Sequence, residues 1–89
     1  PAEYSLEQNY PNPFNPSTTI QYAIPNQQIV RLIVYNLLGQ EIKTLVNGIQ
    51  TAGSYTIYWD ATALTSGVYF YQVNVNGADS EIKKMMPLR

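Results

Sequence analysis

The side chains able to do chemistry in this sequence are few. The candidates are the carboxylates of Glu41, Asp60, Asp79 and Glu81 among six, the hydroxyls of Ser17 and Ser66, and the amines of Lys43, Lys83 and Lys84. There is no histidine and no cysteine. That removes the usual general base near neutral pH, any Ser-His-Asp triad, a thiol nucleophile and a thiolate metal site. A Ser–Lys pair is the formal remainder, but both serines sit in turn-like contexts where a hydroxyl bonds its own backbone. A glycosidase-type pair built on Asp60 needs a cleft that so small a chain does not offer. Asp60 follows Trp59 at the head of a connection, where it serves backbone N–H groups better than it serves catalysis. Calcium would need about six to eight oxygens, and no spaced Asp series resembles a calcium loop. No catalytic residue, metal or cofactor is expected.

Binding is the remaining option. Tyr58 and Phe70 could stack on sugar rings, which keeps a carbohydrate-binding accessory module as an alternative, although strand-face aromatics more often pack. Nucleic acid is not expected: five Lys and Arg face six Asp and Glu, and only Lys83 and Lys84 are adjacent. "LLGQ" and "SGVY" carry one glycine each and precede no helix, so neither is a phosphate loop. The apparent glycosylation site Asn15-Pro16-Ser17 is disabled by its central proline.

The elements that hold these residues read as all-β. Apolar residues alternate with polar ones in short runs separated by Gly, Pro, Asn, Asp and Ser clusters. Thr18 to Ile24 places Ile20, Tyr22 and Ile24 on one face, and Ile29 to Tyr35 does the same for Val30, Leu32 and Val34. Asn36 and Gly39 take the first and fourth places of a type I turn in "NLLGQ". The return strand, Glu41 to Val46, should carry Ile42 inward and stop at "NGIQTAG". Ser54 to Trp59 follows, with Trp59 expected at the centre of the core, then the connection "DATALTSG" and a strand from Val68 to Val75. Asn76-Gly77 is the strongest hairpin signal. It sets Val75 opposite Ala78, Val73 opposite Ser80, Tyr71 opposite Ile82 and Tyr69 opposite Lys84. With a short strand at Tyr4 to Gln8, the expected fold is an immunoglobulin-like antiparallel β-sandwich of about seven strands.

At 89 residues, 1–89 is expected to be a single domain with a small core. Residues 1–9 read as linker plus that short first strand. The chain opens on Pro1 rather than Met and is expected to be part of a longer polypeptide. No apolar run nears the 18 or so residues of a membrane span.

Four blocks then carry a likeness across nearly the whole chain: "LEQNYPNPFNPSTTIQYAIP", "VRLIVYNLLGQEIKTLVNGIQTAGSYTIYWDA", "SGVYFYQVNV" and "KKMM". Together they resemble the type A C-terminal sorting domain of the type IX secretion system, found on proteins exported by Bacteroidetes and related bacteria. The central block is similar to the Ig-like domain of the flagellar hook-capping protein. The resemblance implies a non-catalytic address on a larger secreted enzyme or adhesin. The outer-membrane translocon would read it, after periplasmic transit, and surface-attachment machinery would then hold or release the cargo outside the cell. By resemblance the motif positions are Tyr10, Pro11, Asn12 and Pro13, then Gly39, then Gly67, Val68 and Tyr69, and finally Lys83 and Lys84. A structural Ig-like spacer is the further alternative. The prolines of "YPNPFNPSTT" fix φ and exclude helix, so that stretch should be a rigid lead-in anchored by Tyr10 and Phe14. Direct contact with the translocon is expected at the far end, around the two lysines, with Pro87 stopping the last strand near Met86.

Overall fold

The computed structural model describes residues 2–80 and 82–88. Eight strands run through them: β1 Ser5–Leu6, β2 Ser17–Ile24, β3 Gln28–Tyr35, β4 Glu41–Gln50, β5 Gly53–Asp60, β6 Tyr69–Val75, β7 Ala78–Asp79 and β8 Lys83–Met85. They form two antiparallel sheets, one ordered β1-β2-β5 and the other β4-β3-β6, with β7 and β8 both lying along β6. No described residue is helical, and the architecture is an immunoglobulin-like sandwich. The count exceeds the expected seven because the last return strand is divided into β7 and β8.

The core fills the space between the inner faces. Ile20, Tyr22 and Ile24 of β2 meet Val30, Leu32 and Val34 of β3 and Tyr71, Val73 and Val75 of β6, all buried. The inner faces read from the sequence hold in each of these strands, because each is flanked by neighbours that cover that face, while Ala23 and Ile33 are buried on the opposite face as well. Trp59 does not hold the centre. With Tyr55 and Ile57 it is half-buried on β5, an edge strand whose inward side chains are covered on one flank only. Tyr55 stacks on Tyr22 with ring centroids 5.3 Å apart. Tyr71, Tyr22, Leu32 and Met85 occupy the centre instead.

Strand β4 departs from expectation twice. It does not stop at Val46 but runs to Gln50, with Asn47 opposite Arg31, Gly48 opposite Val30 and Ile49 opposite Ile29. β3 begins at Gln28, so its backbone offers partners through this Asn-Gly pair, and the ladder overrides the turn propensity. The pairing also shifts between Leu32 and Ile33 and again between Val34 and Tyr35, placing an extra residue on β4 each time. The first bulge lets both Leu45 and Val46 pack on the core. The second bulge is Ile42 itself, which is turned out to solvent rather than inward. The β3–β4 turn is as expected: the Gly39 N–H donates to the Asn36 carbonyl at 3.0 Å, and Gly39 sits at φ +81°.

The second hairpin starts in the expected register and then leaves it. Asn76 and Gly77 both have positive φ, Val75 lies opposite Ala78, and the Ser80 N–H donates to the Val73 carbonyl at 2.8 Å. Between Ser80 and Lys83 the pairing slips by one residue. Tyr71 then lies opposite Lys83, Phe70 opposite Lys84 and Tyr69 opposite Met85. A slip of one exchanges faces: Ile82, expected inward, is exposed, and Met85 fills the core in its place. Lys83 shares the Tyr71 side at the rim, not the outer face assigned to it. Glu81, also expected on the outer face, lies outside the described residues.

The Tyr71 hydroxyl is enclosed, donating to the Glu7 carbonyl at 2.6 Å and accepting from the Asn9 N–H at 2.7 Å. Burial pushes its phenol up to about 12, against a lowering by the Asn9 hydrogen bond. The folded state therefore holds the proton more tightly than the unfolded chain, whose phenol titrates near 10. The stabilisation is complete below about pH 10 and is lost as pH rises to about 12, by roughly 3 kcal/mol at about 1.4 kcal/mol per unit. Tyr71→Phe should cost about 1–3 kcal/mol at pH 7, since it leaves two buried backbone groups without this partner. Denaturant titration from neutral pH to pH 12 checks both: the variant should start lower and lose less over the alkaline range.

Candidate recognition surface

The segment before β2 is held by its asparagines more than by its aromatics. Tyr10 bridges to Thr19, each N–H donating to the other's carbonyl at 2.9 Å, and this aims the Tyr10 ring outward. At 78% exposure Tyr10 is not the anchor it was expected to be; Phe14, 2% exposed, is. Asn9 is buried, and its Nδ2 donates to the Thr18 hydroxyl at 2.9 Å and to the Pro11 carbonyl at 3.2 Å. The Thr18 hydroxyl donates to the same Pro11 carbonyl at 2.9 Å. Prolines cannot donate from the backbone, so the side chains of Asn9 and Thr18 supply the bonds that fix this segment.

The same segment grips the C-terminal strand. Asn12 Oδ1 accepts from the Met86 N–H at 2.9 Å, and Asn12 Nδ2 donates to the Lys84 carbonyl at 3.5 Å. Gln8 Nε2 donates to that carbonyl at 2.6 Å. Phe14 N–H donates to the Met86 carbonyl at 3.1 Å, and Leu88 N–H donates to the Phe14 carbonyl at 2.8 Å. Pro87, which stops β8 as expected, is fully buried beside Phe14. The Tyr-Pro-Asn-Pro block and the two lysines, expected at far ends of the domain, are therefore neighbours. Removing residues 83–89 would strip Met85 and Pro87 from the core, so truncation there destroys the fold as well as any signal.

The other motif positions gather nearby. The Gly67 N–H donates to the Pro87 carbonyl at 3.4 Å, Val68 leads into β6, and Tyr69 pairs with Met85 while its hydroxyl donates to the Thr65 carbonyl at 3.1 Å. Gly39 belongs to the same end of the large sheet. Tyr35, just before its turn, lies opposite Phe70, which lies opposite Lys84, so the three form one row on the outer face. Beside that row Tyr35, Leu37, Gly39, Phe70 and Ile82 line an open apolar groove of about 370 Å³. Lys84 is exposed at its margin, while Lys83 is half-buried. All ten motif positions thus lie around one end of the sandwich.

Sequence reasoning missed Gln8, Asn9 and the reach of Asn12 to residues 84 and 86. The partners of Asn12 lie more than 70 positions away, where no local pattern points. Asp60 is placed as read: its Oδ1 accepts from the Thr62 N–H at 2.9 Å and from the Thr62 hydroxyl, and these bonds hold its carboxyl below the usual carboxylate range. Among the described residues no three His, Cys, Asp or Glu side chains gather as a metal ion would need. No helix among them is long and apolar enough to cross a membrane.

The family model for the secretion system C-terminal sorting domain matches residues 8–87, a span that includes every motif position above. No curated protein and no solved structure matches the chain. With the match covering nearly its full length, the chain belongs to the C-terminal sorting domains of the type IX secretion system, which mark a parent cargo protein for that machinery and so for secretion or the cell surface.

Proposed function

We propose that residues 1–89 act as one non-catalytic address, read by the outer-membrane translocon once a separate N-terminal signal has brought the parent protein into the periplasm. The surface that is read is the end of the sandwich where Tyr10–Pro13, Gly39, Gly67–Tyr69 and Lys83–Lys84 meet. The observation that carries this reading is the pair of hydrogen bonds from Asn12 to residues 84 and 86, which make one patch of blocks far apart in sequence. Within it the residues divide by role. Asn12, Gly67 and Tyr69 hold the patch together, while the outward Tyr10 ring and the exposed Lys84 are available to a partner. The surface-attachment machinery acts on the cargo after this step.

Fusion of residues 1–89 to a periplasmic reporter in a type IX-competent host tests the address. The reporter should reach the surface or the medium; a folded fusion that stays in the periplasm sinks the reading. Lys84→Glu tests the patch, because an exposed lysine contributes less than about 0.5 kcal/mol to stability. Export should fall several-fold with the melting curve unchanged, and unimpaired export would remove Lys84 from the recognition surface.

Asn12→Ala addresses the holding role. It leaves the Met86 N–H without its acceptor and should cost about 1 kcal/mol, read as faster amide exchange at Met86 with the β3 amides still protected. Export should decline with it, whereas normal exchange at Met86 would mean that the tie is not held in solution.

A further inference from the structure

The outer edge of β5 pairs with no strand among the described residues. Which of its backbone groups point there follows from the ladder on its other side. Thr19 of β2 exchanges hydrogen bonds with Tyr10, and the Gln21 carbonyl accepts from the Glu7 N–H, so the odd-numbered residues of β2 face away from β5. The even-numbered Thr18, Ile20 and Tyr22 bond β5 instead, across from Trp59, Ile57 and Tyr55. The Ala61 N–H, bonded to the Pro16 carbonyl at 3.0 Å, keeps the same parity. The N–H and C=O groups aimed off the sheet therefore belong to Ser54, Thr56 and Tyr58.

The two long edges of the sandwich differ in how they are protected. β4 carries two bulges, Glu41 and Lys43, all features that discourage edge-to-edge pairing. β5 has eight residues in unbroken register with β2 and no charge from Gly53 to Trp59. Its inward row of Tyr55, Ile57 and Trp59 stays half-buried along the same flank. A strand that completes this edge must extend that row with apolar side chains and add no buried charge.

β5 itself meets both requirements. We propose that β5 pairs antiparallel with β5 of a second copy about a twofold axis at Ile57, joining two three-stranded sheets into one of six strands. In that register Thr56 lies opposite the copy's Tyr58 and Ser54 opposite its Asp60, so the outward backbone groups fall on hydrogen-bonded pairs. Tyr55 lies opposite the copy's Trp59, and Ile57 meets its own counterpart. The half-buried rows cover one another, and the two Asp60 carboxylates end at opposite ends of the ladder. Such an isologous contact closes on itself and leaves the β4 edge free.

Sedimentation of the 89-residue chain from micromolar to millimolar concentration tests this directly. The expected result is a monomer–dimer equilibrium, abolished by Thr56→Lys and by Thr56→Pro. Thr56 donates off the sheet, so proline there spares the ladder with β2, and circular dichroism should keep its native β signature in both variants. The chain has no cysteine, so Ile57→Cys gives a clean second readout. Oxidation should link two chains, because directly opposed side chains in such a pair lie about 5 Å apart. A monomer at every concentration, a dimer that survives Thr56→Lys, or an Ile57→Cys chain that does not cross-link would each overturn the proposal.

Discussion

The Tyr71 hydroxyl must be hydrogen-bonded where it lies, because an unpaired hydroxyl in so small a core would cost a large part of the stability. Its partners are the Glu7 carbonyl and the Asn9 N–H, which sets the path of the chain ahead of β2. Once Asn9 is fixed, its side chain orients Thr18 and Pro11, and its neighbours Gln8 and Asn12 reach the backbone at residues 84 and 86. One phenol on β6 thus determines where the first segment crosses the sandwich and where the last strand lies. The consequence extends to the whole interior: among the described residues no buried side-chain nitrogen or oxygen lacks a partner.

Several of the positions assigned by resemblance are for this reason committed to contacts within the sandwich. Asn12 spends both ends of its amide on the C-terminal strand, and Gly67 meets Pro87 through its backbone. Tyr69 turns its hydroxyl back to Thr65. Facing outward beside them are the Tyr10 ring, the Lys84 side chain and an apolar groove beside Phe70. A patch whose polar groups are already bonded to one another loses little conformational entropy when it is bound, as the proposed recognition requires.

Period-two alternation made the buried faces of β2, β3 and β6 legible, because each of those strands is covered by neighbours and the pattern has one consistent solution. The Asn76-Gly77 and Gly39 turns were legible because positive φ restricts the residues that fit. The missing parts are those that local pattern cannot encode. Bulges at Leu45 and Ile42 depend on the length of β3, the slip before Lys83 depends on Met85 filling a space made by other strands, and Trp59 is half-exposed only because β5 is an edge. In the motif region the turn-forming character of the asparagines was readable, but their long-range partners were not, so two neighbouring segments read as remote.

Phe14 clasps the backbone on either side of Pro87, donating to the Met86 carbonyl and accepting from the Leu88 N–H, and the Phe14 and Pro87 side chains are both buried. The loop they close contains every strand from β2 to β8. A ribosome delivers the Phe14 side of this clasp long before the Pro87 side, so a polypeptide still being made can assemble hairpins but cannot seal the sandwich. A chain cut before Met86 would lose both hydrogen bonds to Phe14 and the buried Pro87, so it would leave the sandwich open at that end and not make a shortened but competent domain.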